Sequence, residues 1–211
     1  MAGTAVRPRL IAITDRTRAS AAQTLGRFAR LARAAQPGSV VFQLRDRELA
    51  AAERLSFGRE LVRLAHAEGQ LVQVNDRLDL ALLLGADGAH LGEASVALPD
   101  ARRLLGHSAF LTRASHEPAR AGACAADGVL LSPILAERKG REALGLRGIE
   151  SARASLDASE NPALLFALGG IDAGGARRCR EAGADGVAVI GAVLDAAADL
   201  DALVRALSCE R

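Results

Sequence analysis

Eight short apolar runs, separated by longer amphipathic stretches, mark the chain from end to end. They cover residues 10–14, 40–45, 71–75, 88–91, 109–114, 128–131, 164–168 and 186–190. Each is apolar almost without interruption, as parallel strands covered by helices are. Helical periodicity fills the gaps. Residues 50–67 place Leu55, Phe57, Leu61, Val62 and Leu64 near helical spacing, and 173–182 and 200–207 behave alike. The tripeptide Ala-Asp-Gly recurs at 86–88, 126–128 and 184–186, each time between a helical stretch and an apolar run. It reads as an αβ turn in which Gly closes the helix and Asp caps or turns the chain into the sheet. Eight βα units in 211 residues, with no linker or low-complexity segment, predict one α/β domain over 1–211, a (β/α)8 TIM barrel. A doubly wound sheet is the alternative.

Half of the residues are hydrophobic, yet Trp and Tyr are absent, so aliphatic side chains must do the packing. The formal net charge is +2, with acids and bases interspersed. That balance gives no electrostatic case for nucleic acid or a membrane surface. Cys124, Cys179 and Cys209 are odd in number and lack metal-type spacing, which suits free thiols in a reducing compartment. No signal peptide and no membrane-length apolar run is seen, so a cytoplasmic protein is expected.

In a barrel the chemistry gathers at the C-terminal strand ends. Two of these ends are glycine-marked, Leu168-Gly169-Gly170-Ile171 and Ile190-Gly191-Ala192. Bare backbone amides at two adjacent strand ends make a phosphate cradle. Gln43 and Arg45 are two apart on one strand and share a face. An Arg in a barrel mouth suits a phosphate, which it grips through two hydrogen bonds; pairing with Asp46 or Asp76 is the structural alternative. Asp76 can hold Mg²⁺ or cap the helix that follows it. His90 reads as a packed, hydrogen-bonded histidine. His116, beside Ser115 just past a strand end, can exchange protons near neutral pH or cap the next helix. Residues 132–148 form a long charged loop that can act as a lid, with Lys139 placed to close over an anion or simply to face solvent.

Taken in order, these segments resemble the thiamine phosphate synthase and TenI (thiazole tautomerase) superfamily over nearly the whole chain. The similar stretches are residues 11–15, Gln43-Leu44-Arg45-Asp46-Arg47, 74–81, 85–92, Leu131-Ser132-Pro133-Ile134, 167–171 and 183–192. The resemblance implies a TIM barrel whose synthases join hydroxymethylpyrimidine diphosphate to a thiazole phosphate and release diphosphate. It implies that Gln43, Arg45, Arg47, Asn75 and Lys139 surround the diphosphate and that Asp76 carries Mg²⁺. Gly169, Gly170, Ile190 and Gly191 would hold the thiazole phosphate. The partners implied are phosphorylated thiazole and pyrimidine small molecules, with a homodimer as one assembly.

The chain departs from the synthase pattern in several places. Ser95 stands where a second Mg²⁺-binding Asp is usual, Glu93 comes two residues early, and Arg47 replaces a Lys. A threonine-rich stretch is replaced by Ile134-Leu135-Ala136-Glu137-Arg138. His116 aligns with the proton-transferring histidine of the tautomerases, and Ser115 accompanies it. The expectation is a synthase, with a thiazole tautomerase as the alternative and a phosphate-ligand-binding member without turnover as a lesser one. A sugar-phosphate epimerase using Asp15 and Asp76 as its acid and base is the reading from a different class.

Overall fold

The computed structural model describes residues 7–138, 140–159 and 163–208. All eight apolar runs become strands: β1 Leu10–Ile13, β2 Val40–Leu44, β3 Leu71–Asn75, β4 Gly88–Leu91, β5 Phe110–Ser115, β6 Gly128–Leu131, β7 Leu164–Leu168 and β8 Gly186–Val189. Every strand pairs in parallel with its sequence neighbours, and β8 pairs with β1 to close the barrel. The helices are α1 Ala21–Ala34, α2 Ala51–Ala67, α3 Leu78–Leu84, α4 Leu98–Leu105, α5 Gly145–Asp157, α6 Ala173–Glu181, α7 Gly191–Leu194 and α8 Leu200–Ser208. A 3₁₀ turn, Pro118–Ala123, takes the helix position after β5. The fold is therefore the expected (β/α)8 barrel.

Strand alternation divides the core in two. Val40, Phe42 and Leu44 of β2 join the large outer cluster beneath the helices, while Val41 joins Ile11, Ile13, Leu130, Phe166 and Ala188 in the barrel interior. The same alternation turns Gln43 and Arg45 inward, one and two steps above Val41.

The Ala-Asp-Gly repeats differ from the turn expected of them. Their glycines do not close helices: Gly88, Gly128 and Gly186 are the first residues of β4, β6 and β8. A Cβ at Gly88 would collide with the Phe110 carbonyl of the neighbouring strand, so close backbone approach sets the residue type. The helices are closed earlier, by residues such as Gly85 at φ 61°.

The aspartates act across strands. Asp87, Asp127 and Asp185 accept the backbone N–H of Val72, Leu111 and Leu165 at 2.7, 2.7 and 2.8 Å. Each also takes a basic group from the helix preceding the odd strand: His66 at 2.8 Å, Arg102 at 2.8 Å and Arg153 at 3.0 Å. Three carboxylates thus tie helix, odd strand and even strand together at the N-terminal rim. Hydrogen bonds to a charged partner contribute about 1.5–3 kcal/mol each.

Among the described residues no helix is long and apolar enough to cross a membrane. Cys124 and Cys179 are free thiols, and burial pushes Cys179 up to about 11. Cys209 lies outside the described residues.

Candidate active site

Two cavities open at the C-terminal mouth. A smaller one, about 290 Å³, is lined by Gln43, Arg45, Arg47, Asn75, His90, His116 and Arg138 among others. A larger one, about 630 Å³, lies over Gly169, Gly170, Ile190 and Gly191. Arg138, Leu168 and Ile190 line both, so the cavities adjoin.

The floor of the smaller cavity is a continuous hydrogen-bonded chain through the barrel interior. Asp76 Oδ2 accepts from Asn75 Nδ2 at 2.7 Å, and Asn75 Oδ1 accepts from Gln43 Nε2 at 3.2 Å. Gln43 Oε1 accepts from Gln73 Nε2 at 2.8 Å, and Gln73 Oε1 accepts from the Thr112 hydroxyl at 3.0 Å. His90 Nδ1 lies 2.9 Å from that hydroxyl oxygen. A carboxylate only accepts, so Asp76 fixes the direction of every link. With its own proton spent on Gln73, Thr112 must accept from His90, which makes His90 an Nδ1–H tautomer with Nε2 left as an acceptor. Burial pushes the His90 imidazole down to about 4, against a pull upward from Asp76, and it stays neutral at pH 7. His90 is thus packed and hydrogen-bonded as expected, and it also faces the cavity.

Asp76 does not cap α3, whose N-cap is Arg77 without a side-chain cap bond. Its backbone stands at φ 61°, the left-handed region, and turns the carboxylate into the mouth. There Arg47 Nη2 donates to Oδ2 at 2.6 Å, while Gly92 N, at 3.2 Å, and the Ser95 hydroxyl donate to Oδ1. Burial works to raise this carboxyl. The Ser95 and Gly92 hydrogen bonds and the Arg47 charge outweigh it and hold the group below the ordinary carboxylate range. Glu93 turns away and faces Arg141 at 3.9 Å. Among the described residues no three His, Cys, Asp or Glu side chains converge on a metal position. An ionised carboxylate beside a hydroxyl still fits Mg²⁺, which takes one or two carboxylates and draws its other oxygens from phosphate and water.

Arg45 pairs with neither Asp46 nor Asp76, and among the described residues it has no ion-pair partner. Asp46 is buried instead, accepting Arg16 N at 2.7 Å and tying the loop after β1 to the loop after β2. Its carboxyl is pushed up by burial. Arg138 also lacks an ion-pair partner among the described residues. Burial lowers the Arg138 guanidinium, and repulsion from Arg45 and Arg18 adds to this against the pull of Asp15. Two such arginines facing one cavity call for an anion. Arg138 is not among the candidates its sequence pattern suggests, whereas its neighbour Lys139 is, and Lys139 lies outside the described residues.

His116 Nδ1 donates to the Ser132 carbonyl at 2.6 Å, leaving Nε2 as an acceptor at the cavity wall. Ser115 does not join it. It is the last residue of β5, turned outward over a separate cavity beside the 3₁₀ turn, and its hydroxyl donates to the Glu117 carbonyl at 3.2 Å.

The long loop is shorter than expected because α5 already begins at Gly145. It is stitched shut at its base by Leu144 N to Pro133 O at 2.8 Å and Gly145 N to Ile134 O at 2.9 Å. Its first residues pack on the glycine cradle, with Leu135 N donating to Gly169 O at 2.9 Å. Gly169 and Gly170 have φ of 116° and 68°, and a Cβ on Gly170 would sit 2.6 Å from the Ala136 side chain. Among the described residues the amides of Gly170, Gly191 and Ala192 have no protein acceptor, as an anion cradle requires.

A closed parallel barrel with glycine-marked strand ends and a cationic pocket at one mouth defines a (β/α)8 protein with a candidate anion site. The sequence model of the thiamine monophosphate synthase (TMP-TENI) family matches residues 10–193, and the chain belongs to that family. Thiamine-phosphate synthase of Moorella thermoacetica is 38% identical over 173 residues, 81% of either chain. The enzyme of that name from Methanoculleus marisnigri is 38% identical over 198 residues, 88% of this chain and 90% of that protein. The relative from Synechococcus sp. (strain WH7803) is 38% identical over 170 residues, but the chain spans only 47% of its length. In three dimensions, thiamine phosphate pyrophosphorylase from Pyrococcus furiosus superposes with a TM-score of 0.78 over 94% of this chain and 95% of its own, at 24% identity, a likeness of fold.

Proposed function

We propose that this chain is a thiamine-phosphate synthase, joining hydroxymethylpyrimidine diphosphate to a thiazole phosphate with release of diphosphate. The observation that carries the reading is the pair of adjoining pockets, one lined by backbone amides and one by guanidinium groups, of which Arg45 and Arg138 have no ion-pair partner among the described residues, with Arg138 at their shared border. Such a pair suits two phosphorylated substrates that react where the cavities meet.

The residues divide the work accordingly. Breaking the pyrimidine-methylene C–O bond develops positive charge on carbon and negative charge on the leaving diphosphate. Arg45, Arg47 and Arg138 supply cationic donors to the leaving group, and Asn75 supplies an amide. Gln43 and His90, fixed by the interior chain, orient the pyrimidine ring from below. The glycine cradle anchors the thiazole phosphate and so holds the thiazole nitrogen at the carbon it attacks. Asp76, with the Ser95 hydroxyl, would hold Mg²⁺, which when bound supplies Lewis-acid stabilisation of diphosphate charge. Free thiols fit a cytoplasmic setting for this chemistry.

The test is formation of thiamine phosphate from the two precursors, with and without Mg²⁺. A folded sample that makes no product in Mg²⁺ overturns the reading. One observation favours a second reading. His116 is held by the Ser132 carbonyl with Nε2 open, as a thiazole tautomerase base would be. That reading requires metal-independent isomerisation of the thiazole carboxylate that collapses in His116→Ala.

A further inference from the structure

The glycine cradle contains a cation that the backbone-amide picture leaves out. Arg18, on the loop after β1, reaches over the cavity. Its Nη1 donates to Asp195 Oδ1 at 2.9 Å, and its Nε lies 3.8 Å from Asp15 Oδ2. A Cβ built on Gly191 would lie 2.7 Å from Asp195 Oδ2 and 3.5 Å from Arg18 Nη1. The ion pair therefore borders the same space that Gly191 leaves open. A side chain at 191 would have to displace the Asp195 carboxylate first.

The charges around this cavity are unusual for an anion site. Among the described residues, Asp15, Glu137, Asp172 and Asp195 line it against only Arg18 and Arg138. Asp172 is occupied as the N-cap of α6, accepting Gly175 N at 2.7 Å. Asp195 is not so tied: it is half-exposed and its side chain is paired with Arg18. An exposed ion pair holds its partners weakly, whereas a phosphate monoester offers a guanidinium two parallel charge-assisted hydrogen bonds. A phosphate entering the cradle can therefore take Arg18 from Asp195.

We propose that Arg18 and Asp195 form an exchange clamp that selects phosphorylated over unphosphorylated ligands in the cradle. Arg18 grips the phosphate, and Asp195 parks Arg18 and repels the dianion when the site is empty. The clamp rests on the reading of the cradle as a phosphate-ester site. It makes the two residues act with opposite sign. Loss of Arg18 weakens phosphate binding, and loss of the Asp195 charge strengthens it, because the arginine is released and a nearby negative charge is removed. A tether that merely joined the β1 loop to the end of α7 would lose equally from either side.

The experiment is calorimetric titration of wild type, Arg18→Ala, Arg18→Lys and Asp195→Asn with hydroxyethylthiazole phosphate, with the unphosphorylated alcohol and inorganic phosphate alongside. Circular dichroism checks that each variant is folded. Arg18→Ala should weaken the phosphate ester by about tenfold and leave the alcohol unchanged, with Arg18→Lys between. Asp195→Asn should tighten the ester by about two- to fivefold. An unchanged ester affinity in Arg18→Ala overturns the clamp, as does weakened binding in Asp195→Asn or a wild type that binds neither anion. Wild-type synthesis of thiamine phosphate is measured on the same samples. A clamp that behaves as stated in a protein that makes no product refutes the synthase reading alone.

Discussion

Acidification tests the interior chain most directly, because one buried imidazole should dominate a defined pH window. In the unfolded chain His90 titrates near 6.5, and burial in the native barrel moves it to about 4. The folded state therefore binds the His90 proton less readily than the unfolded state. Its contribution to stability is complete above pH 6.5, declines as the pH falls through the interval between 6.5 and 4, and is gone below it. At about 1.4 kcal/mol per unit, the loss comes to about 3 kcal/mol. Asp46 and Asp76 titrate in neighbouring windows, so the wild-type profile alone cannot isolate the histidine. The comparison is with His90→Gln, whose amide can still donate to Thr112. Urea unfolding of both proteins at half-unit steps from pH 7 to pH 4 should show the two stability curves converging, wild type losing about 3 kcal/mol more than the variant. Parallel curves across that interval would refute both the neutral Nδ1–H histidine and the carboxylate-directed chain built upon it.

Three further outcomes follow from the geometry. Asp127→Ala strips the Leu111 amide and Arg102 of their shared acceptor, and should cost about 2 kcal/mol in urea unfolding while leaving substrate affinities alone. Gly170→Ala places a side chain at φ 68° against Ala136, which by itself costs about 1–2 kcal/mol, and should weaken hydroxyethylthiazole phosphate at least tenfold in KM. Arg138→Ala breaks no ion pair among the described residues, so the melting temperature should hold while affinity for the diphosphate substrate falls about tenfold in direct binding.

The barrel was legible because its evidence is periodic. Strands buried on both sides write continuous apolar runs, and two-residue alternation placed Gln43 and Arg45 on the inner face. The mouth residues Asn75, Asp76 and His116 were legible as strand ends. What the sequence hid were relations between distant backbones. Asp87, Asp127 and Asp185 look like turn residues until the amides they accept, from Val72, Leu111 and Leu165, are seen on the strand before. Ser115 looked like a neighbour of His116 because the apolar run of β5 ends one residue short of the strand. As a strand residue Ser115 alternates with the inward Thr112 and Ala114, so its hydroxyl faces outward. Arg138 carried no periodic signal in a charged loop, and only its place between two cavities distinguishes it.

The three rim carboxylates divide the molecule in a way that bears on where it tolerates change. Each gathers one contiguous stretch: 51–91 for Asp87, 98–131 for Asp127 and 145–189 for Asp185. The segments left between these stretches are 92–97, which carries Ser95, and 132–144, which carries Arg138. The architectural seams are thus two of the loops that border the candidate site. Insertions or new chain ends placed in them cut no rim carboxylate free, so the foot of the barrel keeps its bonds while these loops change.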